Sequence, residues 1–277
     1  MTDTTYAARI DTALASIRKV TSDTADVGLV LGSGLGDVAE SVEGTAIDYS
    51  AIDSFPRATA PTHKGIMHIG SWQGARVCAL QGRFHLYEGH SPADIGFPID
   101  VMHALGVKTL IVTNITGSLN PALKTGDIVG INDHIFLSAM VGHSPLVGRE
   151  QTQTRSTFVP MSRVYDADLL TLADTAHGSP LPRAVYGCVG GPQFETPAEG
   201  RMLRALGADI VGMSSLYEVV MARYYGMRVL GLSLVVNPVI TDPDNQSDIS
   251  EAEIWKTVQD GQPRMSALLH SIIAGLV

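Results

Sequence analysis

DIVGMSSLYEVVMARYYGMRVLGLSLVVN, residues 209–237, runs from a short apolar segment through a serine turn into a helical pattern, and out into a second apolar segment. The Ile/Val run and RVLGLSLVVN have strand length and strand composition, while SLYEVVMARYYG carries helical spacing. Moving outward, DVGLVLG, RVCALQG, KTLIVTN, DIVGIND and AVYGCVGG are further Val/Ile/Leu runs punctuated by glycine. Helical patterns occupy SPADIGFPIDVMHALG, DADLLTLADTAH, TPAEGRMLRALG and SEAEIWKTVQDGQPRMSALLHSIIAGL. Alternation of this kind predicts an α/β fold. No composition break marks a linker and no repeat is present. One domain over residues 1–277 is expected, with a mixed, largely buried central β-sheet flanked by helices.

The bulk properties narrow the function classes. A hydrophobic content of 45% supports a substantial core. No run reaches the length of a membrane helix. The first twenty residues lack the apolar run of a signal peptide, and Tyr6, Ile10, Leu14 and Ile17 recur at helical spacing instead. A cytoplasmic protein with no membrane partner is expected. The net charge of −9 argues against a nucleic-acid surface, so any anionic ligand needs a local cluster. Cys78 and Cys188 are too few and too far apart for a disulfide scaffold or a zinc site, and both read as core residues.

Four stretches carry candidate chemistry. GRFHLYEGH, residues 82–90, puts Arg83, His85 and Tyr87 at alternate positions, so an extended chain points them to one side and Phe84 and Leu86 to the other. A guanidinium fork beside an imidazole suits an oxyanion. LVLGSGLGD, residues 29–37, is a strand entering a glycine-rich turn in which Gly32, Gly34 and Gly36 let backbone N–H groups converge beside Ser33. It matches neither a Walker loop nor a dinucleotide fingerprint. THKGIMHIG offers His63 and Lys64 in a polar turn, with His68 beyond. In GGPQFETPAEGRMLRALG, Thr196, Pro197 and Glu199 form a helix start with a capping box, which does not account for Glu195 beside Phe194, either a functional carboxylate or an exposed acid favouring the helix N-terminus. Ser214 lies at the mouth of the strand-to-helix turn, and Asn237 ends an apolar strand, where open α/β sheets bind ligands. Residues 138–163 read as a long loop.

These stretches together resemble the trimeric purine nucleoside phosphorylases, a family that includes the methylthioadenosine phosphorylases. The similarity runs over roughly residues 5–275 through VLGSGLG, HKG, GRFHLYEGH, TNITGSLNPALKTGDIVGINDHI, GPQFETPAEGRML and GADIVGMSSLYEVVMAR, in that order. The resemblance implies reversible phosphorolysis of a purine nucleoside, with inorganic phosphate as co-substrate and no metal or organic cofactor. It implies that Ser33, His63, Arg83, His85, Ser214 and the backbone N–H of Ile115 hold phosphate. Tyr87 and Met213 would then face the ribose, and Phe194 would pack on the purine. Glu195 and Asn237 would read the purine edge, with Asn237, Glu195 and His85 nearest the chemistry. It also implies a homotrimer in which the 138–163 loop reaches a neighbour's site.

An amide at Asn237 has both a donor and an acceptor, so it suits a protonated N7 beside a 6-oxo group, and an ionised Glu195 accepts from the N1–H of a 6-oxopurine. Inosine and guanosine are therefore the expected substrates. 5′-Methylthioadenosine is the rival, though that branch resembles an aspartate-containing strand end. A non-catalytic nucleoside- or phosphate-binding homologue is a third reading. The chain departs from the family pattern in four places. Val236 precedes Asn237 where threonine is common, and Ile115-Thr116 replaces a pair of alanines. Glu251 stands nearest a histidine that contacts the ribose 5′-hydroxyl. Thr154, with Phe158 beyond it, lies where a neighbour-facing phenylalanine is common.

Overall fold

The computed structural model describes residues 3–59, 63–149, 155–245 and 247–277. Nine strands are described: β1 (Val27–Leu31), β2 (Glu43–Asp48), β3 (Ile66–Trp72), β4 (Ala75–Gln81), β5 (Thr109–Ser118), β6 (Ile128–Phe136), β7 (Arg183–Cys188), β8 (Ile210–Gly212) and β9 (Arg228–Pro238). They form one mixed sheet in the order β2-β3-β4-β1-β5-β8-β7-β6-β9, and β9 also pairs in parallel with β5. The β5, β8, β7, β6 and β9 pairings thus close into a ring, a feature that no local pattern announces. Helices α1 (Asp3–Arg18), α2 (Pro92–Ala104), α3 (Leu137–Met140), α4 (Ala167–His177), α5 (Pro197–Ala205), α6 (Leu216–Tyr224) and α7 (Glu251–Ala274) cover the sheet. The expected mixed α/β architecture is present.

Local chemistry explains most of these elements. The all-buried β1 and the almost wholly buried β9 are the continuous apolar runs of strands covered on both faces. Thr196 caps α5 with the expected reciprocal box, its Oγ1 receiving Glu199 N while Glu199 Oε2 receives Thr196 N. Asp166 caps α4, and Gly178, at φ 83°, ends it. Cys78 and Cys188 are free thiols with no exposure, and burial pushes each up to about 12. Among the described residues no helix is long and apolar enough to cross a membrane.

Two readings need correction. β2 and β3 were not expected as strands. β2 is an edge strand with a single fully buried side chain, Ile47, so it carries almost no apolar signal. His68, beyond the polar turn of His63 and Lys64, lies within β3, buried against Gln81 with Nε2 2.9 Å from its Oε1. The GRFHLYEGH segment is not a strand: β4 ends at Gln81, Gly82 takes φ 114°, and Leu86–Glu88 wind into a 3₁₀ turn. Alternation survives only over Arg83–His85, with Phe84 buried against Tyr49 at 5.5 Å between ring centroids. The turn then folds Tyr87 back onto His85, the rings stacked 4.6 Å apart.

The glycine-rich turn after β1 passes beneath the first turns of α7. Gly34 has φ 74°, and a Cβ there would lie 2.0 Å from Val258 Cγ1. Gly34→Ala therefore meets both a left-handed backbone and a helix that has to move. We expect a loss of about 2 kcal/mol or more of folding stability, read as a lower urea midpoint with an unchanged m-value.

Candidate active site

A cleft of about 660 Å³ opens at the carboxyl ends of β1, β4, β5 and β9, beside the turn from β8 into α6. This is where open α/β sheets present their loops to ligands. Ser33, Arg83, His85, Tyr87, Ile115, Phe194, Glu195, Met213, Ser214 and Asn237 all line it. Of the residues expected at the site, His63 alone is not in the lining; its ring stacks behind that of His85, 5.2 Å away.

The polar end of the cleft is built around a gap in the sheet. One edge of β5 pairs with β1 up to Val112 and with β8 from Gly117, so the residues between have no strand beside them on that edge. Arg83, 2% exposed, fills the gap. Its Nη2 donates to Val30 O at 2.9 Å and to Thr113 O at 2.7 Å. Its Nη1 donates to Ser214 Oγ at 3.1 Å and to Ser215 Oγ at 2.5 Å. Arg83 lines the cleft while both its terminal nitrogens serve protein acceptors, because diverging strands leave carbonyls that need donors. Gly32 likewise uses its N–H internally, donating to Thr113 Oγ1 at 3.1 Å. A Cβ on Gly32 would sit 2.7 Å from Thr113 O, so the close crossing of β1 and β5 requires glycine.

His85 is oriented by Glu88, whose Oε1 lies 2.7 Å from its Nδ1, leaving Nε2 as the other ring nitrogen. Thr59 Oγ1 and N both donate to Glu88 Oε2. Burial alone raises the Glu88 carboxyl, but the His85 and Thr59 hydrogen bonds outweigh it and hold the group at about 2. Burial, then Glu88, pushes the Tyr87 phenol up to about 12, so it stays a donor. His63 is 9% exposed, with Nδ1 2.8 Å from Arg83 O and Nε2 without a partner among the described residues. Burial, followed by the neighbouring His85, lowers His63 to about 4, so it is neutral near pH 7. His63, His85 and Glu88 bring ligand-type atoms within 4.8 Å of one another, yet Glu88 already accepts two hydrogen bonds on each oxygen and is not shaped for a metal ion.

Of the remaining lining residues, Phe194, Glu195, Asn237, Glu251 and Trp255 are less deeply buried. Phe194, 44% exposed, offers its ring to the cleft. Glu195 is half-buried, and burial, with the Glu199 charge second, raises its carboxyl. Asn237 stands at the end of β9, its Nδ2 donating to Pro238 O at 3.0 Å. Buried Val236 lines the cleft beside it. Glu251 and Trp255, one turn apart on α7, form the third side.

Sequence reasoning missed Glu88, Asn114, Ser215 and Glu218. Asn114 Nδ2 donates to Ser215 Oγ at 3.1 Å, and Ser215, wholly buried at φ 73°, holds both Asn114 and Arg83. The available signal was polar residues set inside otherwise apolar runs, as at Asn114 and Glu218.

An oriented imidazole, two hydroxyls and a buried cation thus line one cleft together with an aromatic ring, a carboxylate and an amide. The family model described as "Phosphorylase superfamily" matches residues 26–274. Purine nucleoside phosphorylase 1 of Bacillus subtilis (strain 168) is 39% identical over 270 residues, 96% of this chain and 98% of that protein. A solved structure of Schistosoma mansoni purine nucleoside phosphorylase in complex with inosine superposes with a TM-score of 0.90 at 36% identity, covering 96% of this chain and 95% of that one. A Schistosoma mansoni purine nucleoside phosphorylase in complex with adenosine gives 0.91 at 38%, covering 97% of each. The chain belongs to the phosphorylase superfamily. Within that class it is a member of the purine nucleoside phosphorylase family, a family of pentosyltransferases.

The lowered His63 has a consequence for stability. Its folded value of about 4 lies below the ordinary 6.5, so between those values the native protein binds fewer protons than the unfolded chain. Stability is whole above pH 6.5 and falls as the pH drops toward 4, by on the order of 3 kcal/mol. His63→Gln removes this titration, and urea midpoints measured from pH 7 to 4 should decline less steeply than in the wild type.

Proposed function

We propose that the protein catalyses phosphate-dependent, reversible cleavage of the N-glycosidic bond of 6-oxopurine nucleosides. Inosine, guanosine or their deoxy forms would yield free base and (deoxy)ribose 1-phosphate. The observation that carries this reading is one continuous cleft with Ser33, His85 and Ser214 along one end and Phe194, Glu195 and Asn237 along the other. Phosphate is held by the Ser33 and Ser214 hydroxyls, the Ile115 N–H and His85, with Arg83 behind them and His63 packed behind His85. Glu88 fixes the His85 ring so that Nε2 meets a phosphate oxygen. Tyr87 and Met213 line the same cleft and would face the ribose.

As the C1′–N9 bond lengthens, its electron pair moves into the purine and the sugar becomes cationic. Phosphate beneath the ring stabilises that charge and then bonds to C1′. The leaving base takes a proton from solvent at N7, and the sugar phosphate gives up its own proton to solvent. Asn237 Oδ1 accepts from that N7–H while its amide N–H donates to O6. Glu195 accepts from N1–H, and Phe194 packs on the ring face. Adenine lacks both the 6-oxo group and N1–H, so both readers favour inosine and guanosine. No metal or organic cofactor takes part in this scheme.

A homotrimer acting in the cytoplasm completes the reading. Met140, Val141, Val147 and Phe158 are all at least 65% exposed along the 138–163 segment, an apolar edge suited to a second copy of the chain. Arg149 ties the near end of this segment to the core through a two-pronged bond to buried Asp100. Thr154 lies outside the described residues.

Inosine, guanosine, adenosine and 5′-methylthioadenosine should be supplied with and without phosphate and base release followed. Release from inosine and guanosine that requires phosphate is expected; release without phosphate, or from the 6-amino substrates alone, overturns the reading. Asn237→Asp removes the donor to O6, so kcat/KM for inosine should fall by about 100-fold or more while adenosine gains relative to it. Glu195→Ala should lower inosine turnover severely. Light scattering should return a mass three times that of the chain.

A further inference from the structure

Glu218, in the first turn of α6, is 2% exposed and lies behind Arg83, outside the lining of the cleft. Its carboxylate lies 3.7 Å from Arg83 Nε, an ion pair without a hydrogen bond. Among the described residues neither carboxylate oxygen accepts a hydrogen bond, and Arg83 Nε donates none. The other guanidinium N–H groups all go to Ser214, Ser215, Val30 and Thr113. Glu218 therefore adds nothing to the hydrogen-bonded clamp on Arg83. The groups that also face it, the Cys188 thiol and the Tyr217 phenol, stay protonated, since burial raises both. A buried carboxylate so poorly solvated is costly to keep, and what it contributes here is charge.

We propose that Glu218 is a positioning residue that sets the anion affinity of the site: its charge offsets that of Arg83, so phosphate is gripped mainly by neutral donors and the sugar phosphate can leave. This rests on the phosphorolysis reading of the same cleft. A unit charge acting through an effective dielectric of about 20 changes an anion's affinity by about tenfold at separations of roughly 10 Å. Were Glu218 instead a mere brace for Arg83, its loss would let the guanidinium wander and weaken anion binding. The two roles predict opposite signs.

Inorganic phosphate is titrated by calorimetry into the wild type and Glu218→Gln, without nucleoside. The variant should bind phosphate about tenfold more tightly. In steady state its KM for phosphate should fall, and kcat should fall with it as release of the sugar phosphate slows. Equal or weaker phosphate binding overturns the inference. If Glu218→Gln is recovered unfolded, Glu218→Asp, which withdraws the charge by one methylene, should tighten phosphate binding by a smaller factor; no tightening there overturns it as well. A wild type that takes up phosphate but releases no base from inosine sinks the functional reading and leaves this comparison standing. A wild type that takes up no phosphate sinks both.

Discussion

Where β1 leaves β5 after Val112, two carbonyls at the centre of the sheet, Val30 O and Thr113 O, come to face Arg83 instead of another strand. A buried carbonyl left without a donor costs roughly 1–3 kcal/mol, so the opening in the sheet depends on a donor reaching it. Arg83 supplies that donor twice and turns its remaining terminal nitrogen toward the serines that start α6. The cleft exists because the strands part there, and the strands part without penalty because the guanidinium bridges them. One side chain thus serves the fold and the anion end of the site together.

This double duty bears on how the proposed phosphate site would work in an acidic protein. Arg83 is committed to protein acceptors and faces Glu218, and His63 is held neutral by burial. The proposed site would therefore meet phosphate with hydroxyls, backbone N–H groups and one imidazole fixed by Glu88. Donors held rigidly in a partly dry cleft stabilise a localised charge well without net positive charge. The same supports reach into the rest of the molecule: Ser215 holds both Arg83 and Asn114, and the stacked His63, His85 and Tyr87 rings tie the 3₁₀ turn to the segment before β3.

Much of this was legible in the residues. The capping box at Thr196 and Glu199, the glycine end of α4 at Gly178 and the apolar runs of β1, β5 and β9 are local features, and each appears where local chemistry puts it. The cleft-lining residues from Ser33 to Asn237 were recognisable because their motifs are long and occur in a fixed order. β2 and β3 were not legible, since β2 buries one side chain fully and β3 hides its signal behind histidine and glycine. The strand expected at residues 82–90 failed because period-two alternation over Arg83–His85 is equally compatible with extended chain that pairs with nothing.

Long motifs in a fixed order marked, by resemblance, the residues that gather at the cleft, while local periodicity, caps and glycine placement sufficed for most element types and for the mixed α/β class. Those depend on interactions within a few positions of each other along the chain. The closure of β9 back onto β5, the gap beneath the cleft, the inward turn of Arg83 and the pairing of Glu88 with His85 were decided by contacts between distant segments or by a turn the alternation concealed. Sheet order and buried hydrogen-bond partners follow from which carbonyls and charges remain unsatisfied once the chain has packed, and that balance has no counterpart in any short stretch of sequence.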